Sequence, residues 1–450
     1  MPAPIPSSSN PLPNRARRRP GWKRAVAGAL VASWLAGCAS PAAVRPIPQI
    51  GAAFALEADE QSMWEDARKE EREILKKAKL ADDPLLNDYV ERLGQSLVDP
   101  AVRDTGKVQF RFRVLEDPTL NAFAFPHGSI YVHTGLLARV ENEAQLAMVL
   151  GHEVSHVEKR HALRHQRSAR RKALGFGIAA VAGSILVARE AGQQAEQGDY
   201  SSAAVISRTA DIILGVGLQL AFIAAVQGYG RDLERESDEE GMAKMVGHGY
   251  DPRQAPALFA VMLKERPDPG KAERFFFSSH PANQERRATA EEMLRTRYAA
   301  QAQAGTGVVN TPDYDKRRRI VLRNDARLNL EAGRLEIAEE EIGQVLAMAP
   351  ADPAALTLKG DLQRRRAAGA REAERRTAED AALEAYRQAI KADPKYAPPH
   401  RELGIVLLGR GEKDKARQHL ERYLELAPNA SDAAIVRDYL VELKPAGAGG

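Results

Sequence analysis

His152-Glu153-Val154-Ser155-His156 constrains this chain of 450 residues more than any other stretch. Two histidines four residues apart stand one above the other on a helix, so both imidazoles can reach a single metal ion. Glu153 lies beside them, where a carboxylate can take a proton from water at that metal. Leu146, Val149, Leu150 and Val157 give the surrounding helix an apolar face, so it packs inward. The spacing predicts one zinc ion per chain, held on a buried helix. Catalytic zinc takes three protein ligands and keeps a fourth position open, so a third ligand is required. Arg231 to Gly241 supplies Asp232, Glu234, Glu236, Asp238, Glu239 and Glu240, and spacing alone does not choose among them. Glu234 and Asp238 share a helix face; one can bind the metal while the other holds a ligand histidine in its tautomer.

The chain has one cysteine, Cys38, which rules out an internal disulfide and a cysteine-rich zinc ribbon. It closes Leu35-Ala36-Gly37-Cys38, behind an apolar run from Ala25 to Leu35 and a basic stretch with Arg15, Arg17, Arg18, Arg19, Lys23 and Arg24. That order is the plan of a secretory signal peptide. Its last four residues resemble the bacterial lipobox, whose cysteine is lipidated and heads the mature protein. Residues 1–38 are therefore expected to be a signal peptide, and Cys38 a lipid anchor to the membrane. Ala39 stands where an aspartate in this lipoprotein class often signals inner-membrane retention. Anchoring on the periplasmic face of the outer membrane is the expectation, with a soluble periplasmic form as the alternative. The net charge is +4; without those six basic residues it becomes −2 for residues 39–450, so no nucleic-acid partner is expected.

Length predicts two or three domains. Residues 39–56 carry three prolines and no helical period, and read as a tether. Amphipathic helices follow, over Glu57 to Lys79 and then with Leu85, Tyr89, Leu93 and Leu97 on one face. Val108 to Val114 alternates like a half-buried strand, and Asn121 to Val132 reads as two short strands around Pro126-His127-Gly128. Phe123, Ala124, Phe125 and Gly128 belong to an edge that can pair with an extended substrate. Helical periodicity then runs from Gly135 through His165. Apolar stretches at 173–188 and 212–226 are too short to span a bilayer and fit buried or membrane-apposed helices.

The last third changes character. Pro394 and Pro428 close helical segments 34 residues apart, the tetratricopeptide period, and Pro350 closes another. Alignment on them puts Ala326, Ala338 and Ile342, then Gly360, Ala382 and Tyr386, then Gly404, Ala416 and Leu420 where paired helices cross. The middle unit is lengthened by a charged extension from Arg364 to Arg376, and Asp432 to Leu443 caps the stack. The expected domains are a metallopeptidase domain at 57–300, a linker at 301–316 and helical repeats at 317–445. The fold class is α+β, mostly α, with a small β-sheet in a gluzincin-like domain followed by an α-helical solenoid.

Asn121 to Ala124, Gly135-Leu136-Leu137, His152 to His156, Arg231 to Gly241 and His280-Pro281 occur in this order ahead of the repeats. In this the chain resembles the BepA-type periplasmic metallopeptidases, the repeat-bearing branch of the HtpX-like HExxH family. The resemblance implies zinc on His152, His156 and Glu234, Glu153 as general base, and Asp238 as the carboxylate behind a ligand histidine. It implies that His280 can fill the open zinc position and hold the enzyme inactive. It also implies unfolded or stalled protein substrates and outer-membrane assembly machinery as a partner of the repeats. Gly230, Ser237 and His127 depart from the family's serine, alanine and glycine. An adaptor or chaperone with a latent peptidase site is the competing expectation. His161 and His165 are expected in surface or packing roles, Tyr229 as a buried phenol and Arg286 as a surface arginine.

Overall fold

The computed structural model describes residues 44–171, 229–264 and 284–443. Cys38, the apolar stretches at 173–188 and 212–226, and His280 lie outside the described residues. Helix α1 (Ala58–Leu75) and helix α2 (Pro84–Ser96) precede three strands, β1 (Arg111–Leu115), β2 (Ala122–Ala124) and β3 (Ser129–His133). The Asp83 side chain starts α2 by accepting from the Leu85 and Leu86 N–H groups, a cap of about 1 kcal/mol. The sheet order is β1-β3-β2, with β1 parallel and β2 antiparallel to β3. Ala67 of α1 packs with Leu115, Phe123, Phe125 and Tyr131 to close one side of the sheet.

Helix α3 (Thr134–Arg139) leads into α4 (Glu143–Glu158), which carries the two histidines and is buried along its whole length. Asn142 caps it by accepting from the Gln145 N–H at 2.9 Å. The expected continuous helix through His165 is interrupted. Lys159 and Arg160 form a turn, and a new helix, α5, runs over 161–171. Arg160 has φ 56°, a left-handed conformation that costs a non-glycine residue about 1–2 kcal/mol. Its guanidinium is held by the buried Glu60 at 2.5 Å, by Glu57 at 2.9 Å and over the Phe54 ring. These partners keep the break in place.

The segment expected as a tether is, from residue 45 on, part of the packed structure. Ile47 and Phe54 are buried, and the Arg45 carbonyl accepts from Arg160. Two apolar anchors outweigh the proline content that suggested a free chain. Helices α6 (Arg231–Gly247), α7 (Gln254–Lys264) and α8 (Gln284–Arg295) complete the domain, with α9 (Ala299–Ala304) behind them. The expected linker is likewise strapped down. Val308 bridges to Tyr250, Val309 accepts from the Ala144 N–H, and Glu143 accepts from the Thr311 N–H at 2.7 Å.

Three helix hairpins follow: α10 (Pro312–Glu331) with α11 (Leu335–Met348), α12 (Pro353–Ala367) with α13 (Glu372–Ala392), and α14 (Pro398–Gly409) with α15 (Lys413–Leu426). Helix α16 (Ala433–Glu442) caps the last. Gly333 and Gly411, at φ 76° and 78°, make corresponding turns in the first and third hairpins, where a β-carbon is unfavourable. The charged extension of the middle hairpin is additional helix, α13 having 21 residues. The repeats dock on the first domain through α10: Arg139 of α3 reaches the buried Asp325 at 3.3 Å, and the Tyr314 hydroxyl donates to the Val140 carbonyl. No helix among the described residues is long and apolar enough to cross a membrane.

Candidate metal centre

The centre forms where α4 crosses α6. Gly151 and Gly241 face each other there, and a β-carbon on Gly241 would meet the His152 nitrogen at 2.9 Å and the Met148 carbonyl at 3.1 Å. One on Gly151 would meet the Gly241 carbonyl at 3.1 Å. Hydrogen in place of a side chain on both helices lets the backbones approach, and this seats the carboxylates of α6 against the imidazoles of α4. Gly230 precedes α6 at φ 86°, where the related pattern has serine.

His152 Nε2 stands 3.0 Å from His156 Nε2, 3.4 Å from Glu234 Oε2, and Glu234 Oε1 is 3.5 Å from His156 Nε2. Ligand atoms about 2.0–2.2 Å from one tetrahedral zinc stand roughly 3.3–3.6 Å apart, close to these separations. The two nitrogens and one carboxylate suit zinc, and all three side chains are buried. Among the described residues, these three are the group that could hold a metal ion. Glu153 is buried in the same helix and lines a small cavity with His152, Asp238, Arg286, Phe259 and Met262.

Asp238 meets the other nitrogen of the His152 imidazole. Its Oδ1 lies 2.9 Å from His152 Nδ1, on the side of the ring away from Glu234. Arg286 donates to both Asp238 oxygens, at 2.7 and 2.6 Å, and its guanidinium stacks over Phe259. Burial would raise the Asp238 carboxyl, but Arg286 and His152 hold it below the usual range. Burial alone would push the His152 imidazole down, yet Asp238 and Glu234 raise it to about 9. The pocket thus favours positive charge where the ligand atoms converge.

One expectation about a neighbouring residue is corrected and another is narrowed. Arg286, expected at the surface, is buried as the counter-ion of Asp238. His161, expected in a surface or packing role off the ligand face, takes the packing role: it is fully buried, with Nδ1 at 2.9 Å from His156 Nδ1. The break at Arg160 turns it back, and no glycine or proline at that point announces the turn. Tyr229 is the expected buried phenol; its ring stacks on His156 at 4.3 Å between centroids.

The edge-strand residues are also placed. Phe123 pairs with Tyr131, so the Ala122 and Ala124 backbone groups point away from β3. Phe125 donates to Ser129 and closes the hairpin. Gly128 lies on the opposite side, its carbonyl accepting from the Arg111 N–H, so it is not part of that edge. His127 is tied to Glu71 of α1 at 3.0 Å.

Residues 84–294 match Peptidase family M48, and residues 378–437 match a tetratricopeptide repeat. A putative beta-barrel assembly-enhancing protease of Vibrio cholerae is 30% identical over 55% of this chain and 47% of its own length. The beta-barrel assembly-enhancing protease of Escherichia coli is 32% identical over 43% of this chain and 36% of its own. A mitochondrial metalloendopeptidase of Schizosaccharomyces pombe is 29% identical over 46% of this chain and 52% of its own. The chain thus spans about half, or less, of the length of these relatives. A tetratricopeptide protein of Thermus thermophilus covers 45% of this chain and 77% of its own at 21% identity, with a TM-score of 0.25 that carries no argument. The two histidines, Glu234 and Asp238 fall inside the first match, and the chain carries a Peptidase family M48 domain followed by a tetratricopeptide repeat.

Proposed function

We propose that this protein is a zinc-dependent endopeptidase acting on misfolded or stalled polypeptides in the bacterial periplasm. The observation that carries the reading is the convergence of His152, His156 and Glu234 on one point, with Glu153 buried beside them. When bound there, zinc supplies Lewis-acid polarisation for attack on a peptide carbonyl. Glu153 takes the proton of the attacking water and returns it to the leaving amine. Asp238 fixes the tautomer of His152, and Arg286 keeps Asp238 ionised in a buried place. The outward backbone groups of Ala122 and Ala124 receive the substrate as an added strand, with Phe123 and Phe125 setting the edge.

Cys38 anchors the protein to the periplasmic face of the outer membrane, and the repeats choose the partner. The relatives' name, beta-barrel assembly-enhancing protease, supports outer-membrane protein assembly as the setting. The resemblance implies that His280, which lies outside the described residues, can fill the open position of the metal and keep the site latent. The test is zinc content and casein cleavage of the chain from Ala39 onward. Wild type binds one zinc; Glu153→Gln keeps it and loses about 100- to 10,000-fold in rate; His280→Ala cleaves faster. A zinc-free wild type overturns the metal centre, and zinc without cleavage in any variant favours the adaptor.

A further inference from the structure

We propose that His161 is a positioning residue for the second metal-binding imidazole, fixing the tautomer of His156 as Asp238 fixes that of His152. The inference rests on the metal centre of His152, His156 and Glu234. His156 Nδ1 faces His161 Nδ1 at 2.9 Å, so one nitrogen donates and the other accepts. His156 can present a lone pair at Nε2 only if its own proton sits on Nδ1 and is donated to His161. His161 must then carry its proton on Nε2. That nitrogen makes no hydrogen bond but lies at ion-pair distance, 3.4 Å, from the Glu236 carboxylate, and Arg164 holds Glu236 in place at 2.6 Å. The opposite direction would put a proton on His156 Nε2, toward His152, and would leave Glu236 facing an unprotonated nitrogen.

The Ser237 hydroxyl lies 3.2 Å from the same His161 Nδ1, whose single lone pair it would share with the His156 N–H under this assignment. Alanine at this place, as in the related pattern, would have no hydroxyl to offer. The left-handed turn at Arg160 has a use here, because an unbroken helix would carry His161 about 140° around the axis from His156. The buried Arg160–Glu60 pair therefore supports the metal centre at one remove.

The experiment is zinc affinity, by chelator competition, of wild type, His161→Phe and His161→Asn, with folding checked by circular dichroism. Phenylalanine fills the volume without an acceptor; asparagine sets Oδ1 where Nδ1 stood. The phenylalanine variant is expected to bind zinc about 10- to 100-fold more weakly. The asparagine variant is expected to recover most of that loss. Equal affinity in all three overturns the proposal, and equal weakening of both variants reduces His161 to packing and overturns it too. His161→Leu replaces the phenylalanine variant if that does not fold. A wild type without zinc instead sinks the metal centre itself.

Discussion

The crossing of α4 and α6 and the crossings within the repeats use glycine in the same place for different ends. At Gly151 and Gly241 backbone meets backbone, and what comes together is polar or charged: two histidines, Glu234, Asp238 and Arg286, all buried. At Gly360 a β-carbon would meet the Tyr386 ring at 2.3 Å, and at Gly404 the Leu420 side chain at 2.8 Å. The contacts there are apolar, with Leu403, Leu407, Ala416 and Tyr423 around them. Buried charge is unfavourable unless each group finds a partner, so the first crossing is held by a specific set of hydrogen bonds. The second is held by burial of carbon, which tolerates change of sequence. Chemistry sits in the first and shape in the second.

The sharpest way to break the comparison is Asp238→Asn. It removes the charge opposite Arg286 and leaves one acceptor oxygen where Arg286 and His152 shared two. The expected loss is about 3–5 kcal/mol in stability, with zinc bound about 10- to 100-fold more weakly. Denaturant unfolding and chelator competition on one sample check both. Gly241→Ala comes next, at about 1–3 kcal/mol, because the new methyl meets backbone atoms that cannot turn aside. Zinc affinity is expected to fall with it, since the carboxylates of α6 move with their helix.

Gly360→Ala is the matched change in the repeats. The Tyr386 ring is held by its hydrogen bond to Asp361 at 2.7 Å but can tilt, so about 1–2 kcal/mol is expected. Zinc affinity is expected to stay at the wild-type value; a parallel fall would show that the two crossings are not independent. The smallest effect is a pH effect in the third hairpin. His400 and His419 face each other at 3.1 Å, and burial, with His419 beside it, pushes His400 down to about 4. A histidine whose folded value lies below its unfolded 6.5 binds fewer protons when folded. It costs nothing above pH 6.5 and destabilises increasingly as pH falls toward 4. Thermal melts at pH 7 and 5 are expected to drop by about 2–4 °C more in wild type than in His400→Gln.

The legible part of the site was the part written in local spacing. His152 and His156 lie on one turn, and their sharing of a face follows from helix geometry alone. Glu234 and Asp238 were legible as a pair, but not which of them meets the metal. Arg286 was misread, and the partner of His161 was not legible, for one reason: their partners are set by contacts distant in sequence or by an unannounced turn. Arg286 is 48 residues from Asp238. His161 depends on Lys159 and Arg160, which carry none of the usual residues of a break. The tether and linker were misread likewise, because Phe54, Val308 and Glu143 find partners that composition does not reveal.

Local periodicity by itself determined the helix that bears the histidines, the strand segments near 111–133 and the paired helices of the repeats, because each is a rule about neighbours in sequence. Tertiary structure decided which carboxylate stands beside the two histidine Nε2 atoms, which arginine is buried and where His161 points. Those are decided by how closely two helices approach, and Gly151 and Gly241 permit a distance that no spacing rule encodes.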